Sequence, residues 1–229
     1  MPKPDSGSMP APAGSADETD ADRTGTAIVE QLRALDTATL FESGARATNG
    51  PEIRMLSGDC RLAGPALTVI CPPGDNLMIH LAIAHAQSGA VLVAQSHDPG
   101  YGVWGEVLTV AAMARDIAGL VLDGSVRDLG AIRRLGFPVF ARGTALPGTT
   151  KSGGGAVGLV TTCGGALVWP GDIVVADESG IVFIRPDEVE QVLTRAHERC
   201  RKEAAMMNEL RAGRTTVDLL GLEDKSSGD

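Results

Sequence analysis

Apolar positions fall into two regimes along the chain. Over residues 64–142, short apolar runs alternate with stretches of helical period. Gly64–Ile70, Ala90–Ala94, Gly119–Leu122 and Pro138–Ala141 read as strands. Between them, Asn76–Gln87, Trp104–Arg115 and Val126–Leu135 read as helices. The first places Leu77, Leu81 and Ala84 on one face, and the last spaces Val126, Leu129 and Ile132 three apart. Such alternation predicts parallel crossovers. Upstream, Ile28–Leu40 carries Ile28, Leu32 and Leu35 at helical spacing, with Thr26 as a candidate cap. Downstream the pattern changes. Residues 143–165 hold eight glycines, and Val157–Val160, Ala166–Val168, Asp172–Ala176 and Ile181–Ile184 read as short strands with no room for helices between them. Pro186–Arg211 then reads as a long helix with Val189, Val192, Leu193, Ala196 and Cys200 in one stripe. One α/β domain over 26–222, with mixed strands and flanking helices, fits this order.

The ends depart from this pattern. Residues 1–25 contain no Leu, Ile, Val or aromatic side chain. They cannot bury enough apolar surface to offset their ordering entropy, so a disordered acidic tail is expected. Asp224–Asp229 are expected to fray, leaving 223–229 outside the domain. The tail lacks the basic start and apolar stretch of a secretory signal, and no run reaches the length of a membrane span.

Charge and composition then exclude partners. The chain has 229 residues and a formal charge of −9, with −3 contributed by the tail. A phosphate-backbone binder needs a basic face, and aromatics amount to only 3%. Nucleic acid is therefore not an expected partner. Cys60, Cys71, Cys163 and Cys200 form no CxxC pair and lie at no finger-like spacing from a histidine. Reduced thiols in a cytoplasmic protein are expected rather than a zinc site.

Three segments carry candidate chemistry. In Gly119-Leu-Val-Leu-Asp-Gly-Ser-Val-Arg-Asp128, a strand is expected to end at Leu122, turn at Asp123-Gly124 and open a helix near Ser125. Ligands collect at such strand ends, where backbone donors and a helix N-terminus converge. Arg127 is a two-pronged donor for a carboxylate, and Asp128 a hard oxygen ligand for Mg²⁺ or Mn²⁺. The pair also fits a solvated helix start, where an acid is favoured by the helix dipole. The second segment, Trp104-Gly-Glu-Val-Leu108, opens a helix after a turn-rich loop. Gly105 admits a ligand close to the backbone, and the amides of Val107 and Leu108 are free to donate. Glu106 is a candidate for a metal's water, or an ordinary early-turn acid. The third segment is Gly74-Asp75-Asn76. Either polar residue there suits an N-cap, and Asn76 is also a candidate substrate contact. His80 follows on the same face, His97 lies in the loop before Gly105, and His85 and His197 read as ordinary helix residues.

In this order, the segments resemble the RraA-like family. The resemblance runs from about Thr39 to Leu222. It is carried by Glu106 followed after twenty residues by Arg127-Asp128. It is also carried by Gly74-Asp-Asn-Leu-Met-Ile-His80, Asp123-Gly-Ser-Val-Arg-Asp128 and Pro170-Gly-Asp-Ile-Val-Val-Ala-Asp177. The family includes class II pyruvate aldolases acting on 4-hydroxy-4-methyl-2-oxoglutarate and 4-carboxy-4-hydroxy-2-oxoadipate, and regulators of ribonuclease activity. The resemblance implies a swivelling β/β/α fold and a homotrimer or a hexamer of two trimers. It implies a divalent metal, Mg²⁺ or Mn²⁺, held by Asp128. It implies pyruvate held by Arg127 and the backbone of Gly105, Glu106, Val107 and Leu108, with Glu203 supplied by a neighbouring subunit. The long C-terminal helix and the Gly74–His80 segment favour the aldolase branch over a non-catalytic binding protein. Oxaloacetate decarboxylation is the expected second activity. The characterised aldolases carry Asp where this chain has Glu106, one methylene longer. Lys151, in a glycine-rich loop, suits a Schiff base badly.

Overall fold

The computed structural model describes residues 20–48, 52–58, 61–96 and 98–222. The chain opens with helices α1 (Asp20–Arg33) and α2 (Thr37–Glu42), followed by the short strands β1 (Arg46–Ala47) and β2 (Arg54–Ser57). The alternating half comprises β3 (Leu62–Ile70), α3 (Leu77–His85), β4 (Val91–Gln95), β5 (Gly102–Trp104) and α4 (Glu106–Met113), then β6 (Gly119–Val126), α5 (Leu129–Leu135) and β7 (Val139–Thr144). The glycine-rich half adds β8 (Ala156–Val157), β9 (Thr161–Cys163), β10 (Ala166–Val168), β11 (Ile173–Asp177) and β12 (Gly180–Ile184). A single 3₁₀ turn at Pro186–Glu188 leads into the long helix α6 (Val189–Arg211), and α7 (Thr216–Leu220) follows.

The sheet is mixed, in the order β1-β12-β11-β3-β4-β6-β7-β2. Its centre, β3-β4-β6-β7, is parallel, as the alternation predicts. Strand β3 changes partners along its length. Leu62–Pro65 pair antiparallel with β11, and Ala66–Ile70 pair parallel with β4. Helices α3, α4 and α5 cover one face, burying Ile79, Leu108 and Ile132 against Leu92, Leu120 and Leu122. The β9-β10 hairpin lies over the other face, with Val93, Val121 and Phe140 in the core beneath Cys163 and Val168. Helices α1, α2 and α6 cover β11 and β12, with Val189, Val192, Leu193 and Ala196 facing in. This is the mixed β/β/α architecture with flanking helices and a long C-terminal helix.

Several expected boundaries move, each for a physical reason. The single helix over 28–40 is two helices, because the Asp177 carboxylate accepts from the Thr37 amide at 2.9 Å and its hydroxyl at 2.6 Å. Those bonds fix a new helix start after Asp36, a residue type favoured at the N-cap that makes no side-chain cap bond of its own here. Thr26 lies inside α1, which starts at Asp20 within the expected tail. On α3 the buried residues are Ile79, Ala82 and Ile83, while Leu81 is 41% exposed. A helix this uniformly apolar carries no period from which to choose a face. Strand β6 runs through Asp123-Gly124 to Val126, so no turn forms there and α5 starts at Leu129. Gly102–Trp104 is a strand and the next helix opens at Glu106. Residues 1–19 and 223–229, together with His97 and Cys60, lie outside the described residues. Cys71, Cys163 and Cys200 are free thiols, and burial pushes the Cys71 thiol up to about 11.

Candidate functional site

A cavity of about 300 Å³ opens at the carboxyl ends of β5 and β6. It is lined by Asn76 and His80 of the α3 region, by Gly102–Gly105, Val107 and Leu108 around the start of α4, and by Arg127 and Asp128 after β6. Gly148, Thr149 and Lys151, from the loop after β7, complete the lining, with Gly148 beside the Arg127 guanidinium. Three separate segments of the sequence therefore meet in one place.

Strand β5 brings them together. It pairs parallel with the last residues of β6, and the Arg127 amide donates to the Trp104 carbonyl at 2.7 Å. Trp104 is fully buried, stacks on Phe137 and donates from Nε1 to Thr109 Oγ1 at 2.8 Å. Thr109 in turn donates to the Gly105 carbonyl at 3.0 Å, locking the first turn of α4 onto the strand end. Gly105 is required by space. A Cβ there would lie 2.6 Å from Asp128 Oδ2 and 3.1 Å from Arg127 Cγ. Asp128 adopts a left-handed backbone (φ 56°), which is rare for a residue with a side chain. That conformation aims its carboxylate back at the start of α4, where Oδ2 accepts from the Glu106 amide at 3.3 Å. The Arg127 Nε lies 3.7 Å from the same oxygen, and both side chains remain about half exposed.

Each expected site residue can now be placed. Arg127, Asp128, Gly105, Val107, Leu108 and Asn76 line the cavity together. Glu106 presents its backbone amide, while its side chain is exposed and is not among the lining residues. Glu203 lies on α6 in a different groove, with Glu42, Lys202 and Met206, and pairs with Arg199 at 2.8 Å. The Asn76 amide donates from Nδ2 to the Val103 carbonyl at 2.9 Å. Among the described residues, no group of three or more His, Cys, Asp or Glu side chains could hold a metal.

Sequence reasoning missed the wall formed by Gly148, Thr149 and Lys151. Its signal was present in the glycine run that follows, but only the fold shows that this loop returns to the cavity. Asp75 is the anchor. Its carboxylate accepts from the Leu77 amide at 2.9 Å, Thr150 Oγ1 at 2.8 Å and the Ser152 amide at 2.5 Å. These bonds, the Leu77 amide foremost, hold its carboxyl below the usual range. The His80 imidazole is lowered from its ordinary value, first by burial and then by the nearby Lys151 charge.

These features define a class: a mixed α/β domain with a small polar cavity where a parallel sheet ends against a helix N-terminus. The chain matches the family model described as RraA-like: Aldolase/RraA over residues 20–183. The protein belongs to the RraA-like family. It is 33% identical to a Halalkalibacterium halodurans protein named "Putative 4-hydroxy-4-methyl-2-oxoglutarate aldolase", over 74% of this chain and 81% of that protein. An uncharacterized protein from Pseudomonas syringae pv. tomato has a similar structure, with a TM-score of 0.71 and 27% identity. That match covers 83% of this chain and 94% of the other. Streptomyces coelicolor RraAS2, described as an unusual member of the RNase ES inhibitor RraA family, matches with a TM-score of 0.69 and 27% identity. It covers 82% of this chain and 96% of that one. No helix among the described residues is long and apolar enough to cross a membrane.

Proposed function

We propose that this protein is a cytoplasmic class II aldolase, a divalent-metal-dependent carbon–carbon lyase. Its substrate is a 4-hydroxy-2-oxo acid, 4-hydroxy-4-methyl-2-oxoglutarate or 4-carboxy-4-hydroxy-2-oxoadipate. The products are pyruvate and a second 2-oxo acid, and oxaloacetate decarboxylation is a side activity. The observation that carries this reading is the meeting of Arg127, Asp128 and the first amides of α4 in one cavity. The likeness to the Halalkalibacterium protein supports it.

Asp128 is the only acid lining the cavity among the described residues. One carboxylate with open space around it fits Mg²⁺ or Mn²⁺, which keep several waters and take other ligands from substrate oxygens. When bound, the metal supplies Lewis-acid polarisation of the 2-oxo group. The chain's residues bind and orient. Arg127 holds the carboxylate next to the 2-oxo group through paired donors. The Val107 and Leu108 amides, in the first turn of α4 where no intrahelical acceptor precedes them, direct their dipoles at the same charge. As the C4 hydroxyl loses its proton to water and the C3–C4 bond breaks, C4 becomes the carbonyl of the second product, and negative charge grows on the pyruvate half, where these fixed donors stabilise it until C3 takes up a proton from solvent.

A second copy completes the site. Among the described residues, Glu203 lines a different groove from the cavity that holds Arg127. Val107, Val110 and Met113 form an exposed apolar strip on α4 beside the cavity, with Val107 78% exposed. A homotrimer, or a hexamer of two trimers, would cover that strip and bring in Glu203 of a neighbour.

The likeness to RraAS2 favours a second reading, a non-catalytic protein that binds a ribonuclease. A pyruvate-release assay with and without Mg²⁺ separates the two. It would offer both hydroxy acids and oxaloacetate to purified protein. Metal-dependent release, faster from a hydroxy acid, supports the aldolase. Release from oxaloacetate alone leaves a decarboxylase. No release by folded, oligomeric protein favours the binding reading.

A further inference from the structure

The head of Arg127 has no fixed partner. Among the described residues its guanidinium makes no hydrogen bond to the chain, and its contact with Asp128 is long, at 3.7 Å. A two-pronged donor still has to be aimed, because both prongs meet a carboxylate in only one plane. Packing does the aiming here. A Cβ at Gly102 would lie 2.9 Å from Arg127 Cβ, one at Gly105 would lie 3.1 Å from its Cγ, and one at Gly148 would lie 3.1 Å from its Nη1. These three positions leave room only for bare backbone against the arginine, from its stem to its head.

Gly102 and Gly105 belong to β5 and the start of α4. Gly148 comes from residues 145–152, the loop after β7, which has no helix or strand of its own beyond a single bridge at Thr150. That loop is tied at two feet. At the first, the Ala145 amide donates to the Val126 carbonyl and the Gly102 amide to the Pro147 carbonyl, both at 2.9 Å. At the second, the Thr150 amide donates to the Gly74 carbonyl at 2.8 Å, and the Thr150 carbonyl accepts from the Asn76 amide at 3.2 Å. Asp75, which is nearly fully buried, secures this second foot. One of its carboxylate oxygens accepts from the Leu77 amide at the start of α3, and the other from Thr150 Oγ1 and the Ser152 amide. Gly148 and Thr149 bridge the two feet, and the Gly148 backbone meets the guanidinium. Burying a carboxylate is unfavourable unless its oxygens are bonded. Here those bonds join α3 to the one loop that touches the Arg127 head.

We propose that Asp75 is a positioning residue for Arg127, acting through the loop whose Gly148 backbone fixes the guanidinium's orientation. Its catalytic consequence rests on the aldolase reading. Asp75 itself touches neither substrate nor metal.

Asp75→Asn keeps the volume but leaves one acceptor oxygen, so either the Leu77 amide or the loop loses its partner. Thr150→Val removes only the hydroxyl bond to Asp75 and serves where Asp75→Asn does not fold. Phenylglyoxal labelling, read arginine by arginine with mass spectrometry, reports on the Arg127 head without substrate or metal. Its rate is expected to rise several-fold in Asp75→Asn and less in Thr150→Val, while the exposed Arg134 on α5 keeps its rate. No rise at Arg127 in either variant, or an equal rise at Arg134, overturns the assignment. For pyruvate release from 4-hydroxy-4-methyl-2-oxoglutarate, Asp75→Asn is expected to lower kcat/KM roughly 10-fold. In an Arg127→Lys background, which keeps the charge but not the paired donors, the same substitution should lower it less than about twofold. Equal losses in both backgrounds mark a merely structural role and overturn the assignment, as does an unchanged kcat/KM in Asp75→Asn. Where the parent releases no pyruvate, the aldolase reading fails; there, and where Arg127→Lys is too slow to measure, the labelling alone decides.

Discussion

The Gly105→Ala substitution isolates what the cavity does from what the fold needs. Gly105 has an extended backbone (φ −157°, ψ −167°), which alanine adopts without strain. The obstacle is the new methyl group, 2.6 Å from Asp128 Oδ2, where ordinary contact begins at 3.4 Å. The carboxylate must retreat by about 0.8 Å, and Arg127 Cγ, at 3.1 Å, must yield by a few tenths. Asp128 is about half exposed, so it moves into solvent rather than into packed neighbours. The cost to the fold is therefore small, below about 1 kcal/mol or roughly 4 °C in Tm, partly offset by a stiffer unfolded chain. The cost to function is large, because misplacing a catalytic group by ~1 Å costs roughly 10²-fold. The expected outcome is a kcat/KM for metal-dependent pyruvate release down roughly 100-fold, with a thermal melt within a few degrees of the parent. Activity within about threefold of the parent would show that the Asp128 position does not matter, and the site assignment would fall. A melt lowered by more than about 10 °C would show that Gly105 serves packing instead.

Asp128→Ala should abolish Mg²⁺-dependent release and leave the far-ultraviolet circular dichroism unchanged; unaltered kcat/KM would remove Asp128 from the metal assignment. Mixing inactive Asp128→Ala and Glu203→Ala chains should restore part of the activity if sites are shared between copies, whereas no recovery after verified subunit exchange refutes sharing. Acid should expose the anchor of α2. Burial raises the Asp177 carboxyl, but bonds from Thr37 and from the Ser179 and Gly180 amides outweigh it and hold it below its usual value. A lowered folded-state value means the stabilisation is complete above the unfolded value near 4 and is lost as pH falls through the folded one. Melting the parent and Asp177→Asn from pH 6 downward should show the parent's advantage shrinking below about pH 5; a constant gap would contradict the linkage.

The periodic parts of the fold were legible because their signals are local. The parallel centre β3-β4-β6-β7 follows from apolar runs spaced by helical stretches, and the α6 stripe from Val189 to Ala196 faces the core as its spacing requires. What was not legible depends on partners distant in sequence. The break before Thr37 is set by Asp177, 140 residues away. Strands β1 and β2 are short edges whose residues carry little pattern; they exist because β12 and β7 offer open edges. Arg127, Asp128, Gly105 and Asn76, distinctive in residue type and order, line one cavity. Lys151 lines the same cavity, but a lone lysine among glycines has no local signature of a pocket wall.

Asp123-Gly124 shows how a local rule fails and why the failure matters for the site. Asp-Gly after an apolar run is a strong turn signal. Here the Asp123 carboxylate instead pairs with Arg142 and accepts from the Gly164 amide at 2.8 Å, so it is satisfied inside the sheet. Glycine at 124 leaves room beside Ser96 Cβ, which a methyl would approach to 3.2 Å. Pairing with β7 shifts register between Leu122 and Ser125, so the strand absorbs the dipeptide as an irregularity and continues. Strand β5 then pairs with Ser125 and Val126 and carries β6 to the level of Trp104. A turn at 123–124 would place Arg127 and Asp128 inside a helix, away from Gly105. The extra strand residues put them at its tip, where the left-handed Asp128 can face the first amides of α4. The site thus depends on the sheet overriding the turn, and Asp123 is the residue whose long-range pairing makes that possible.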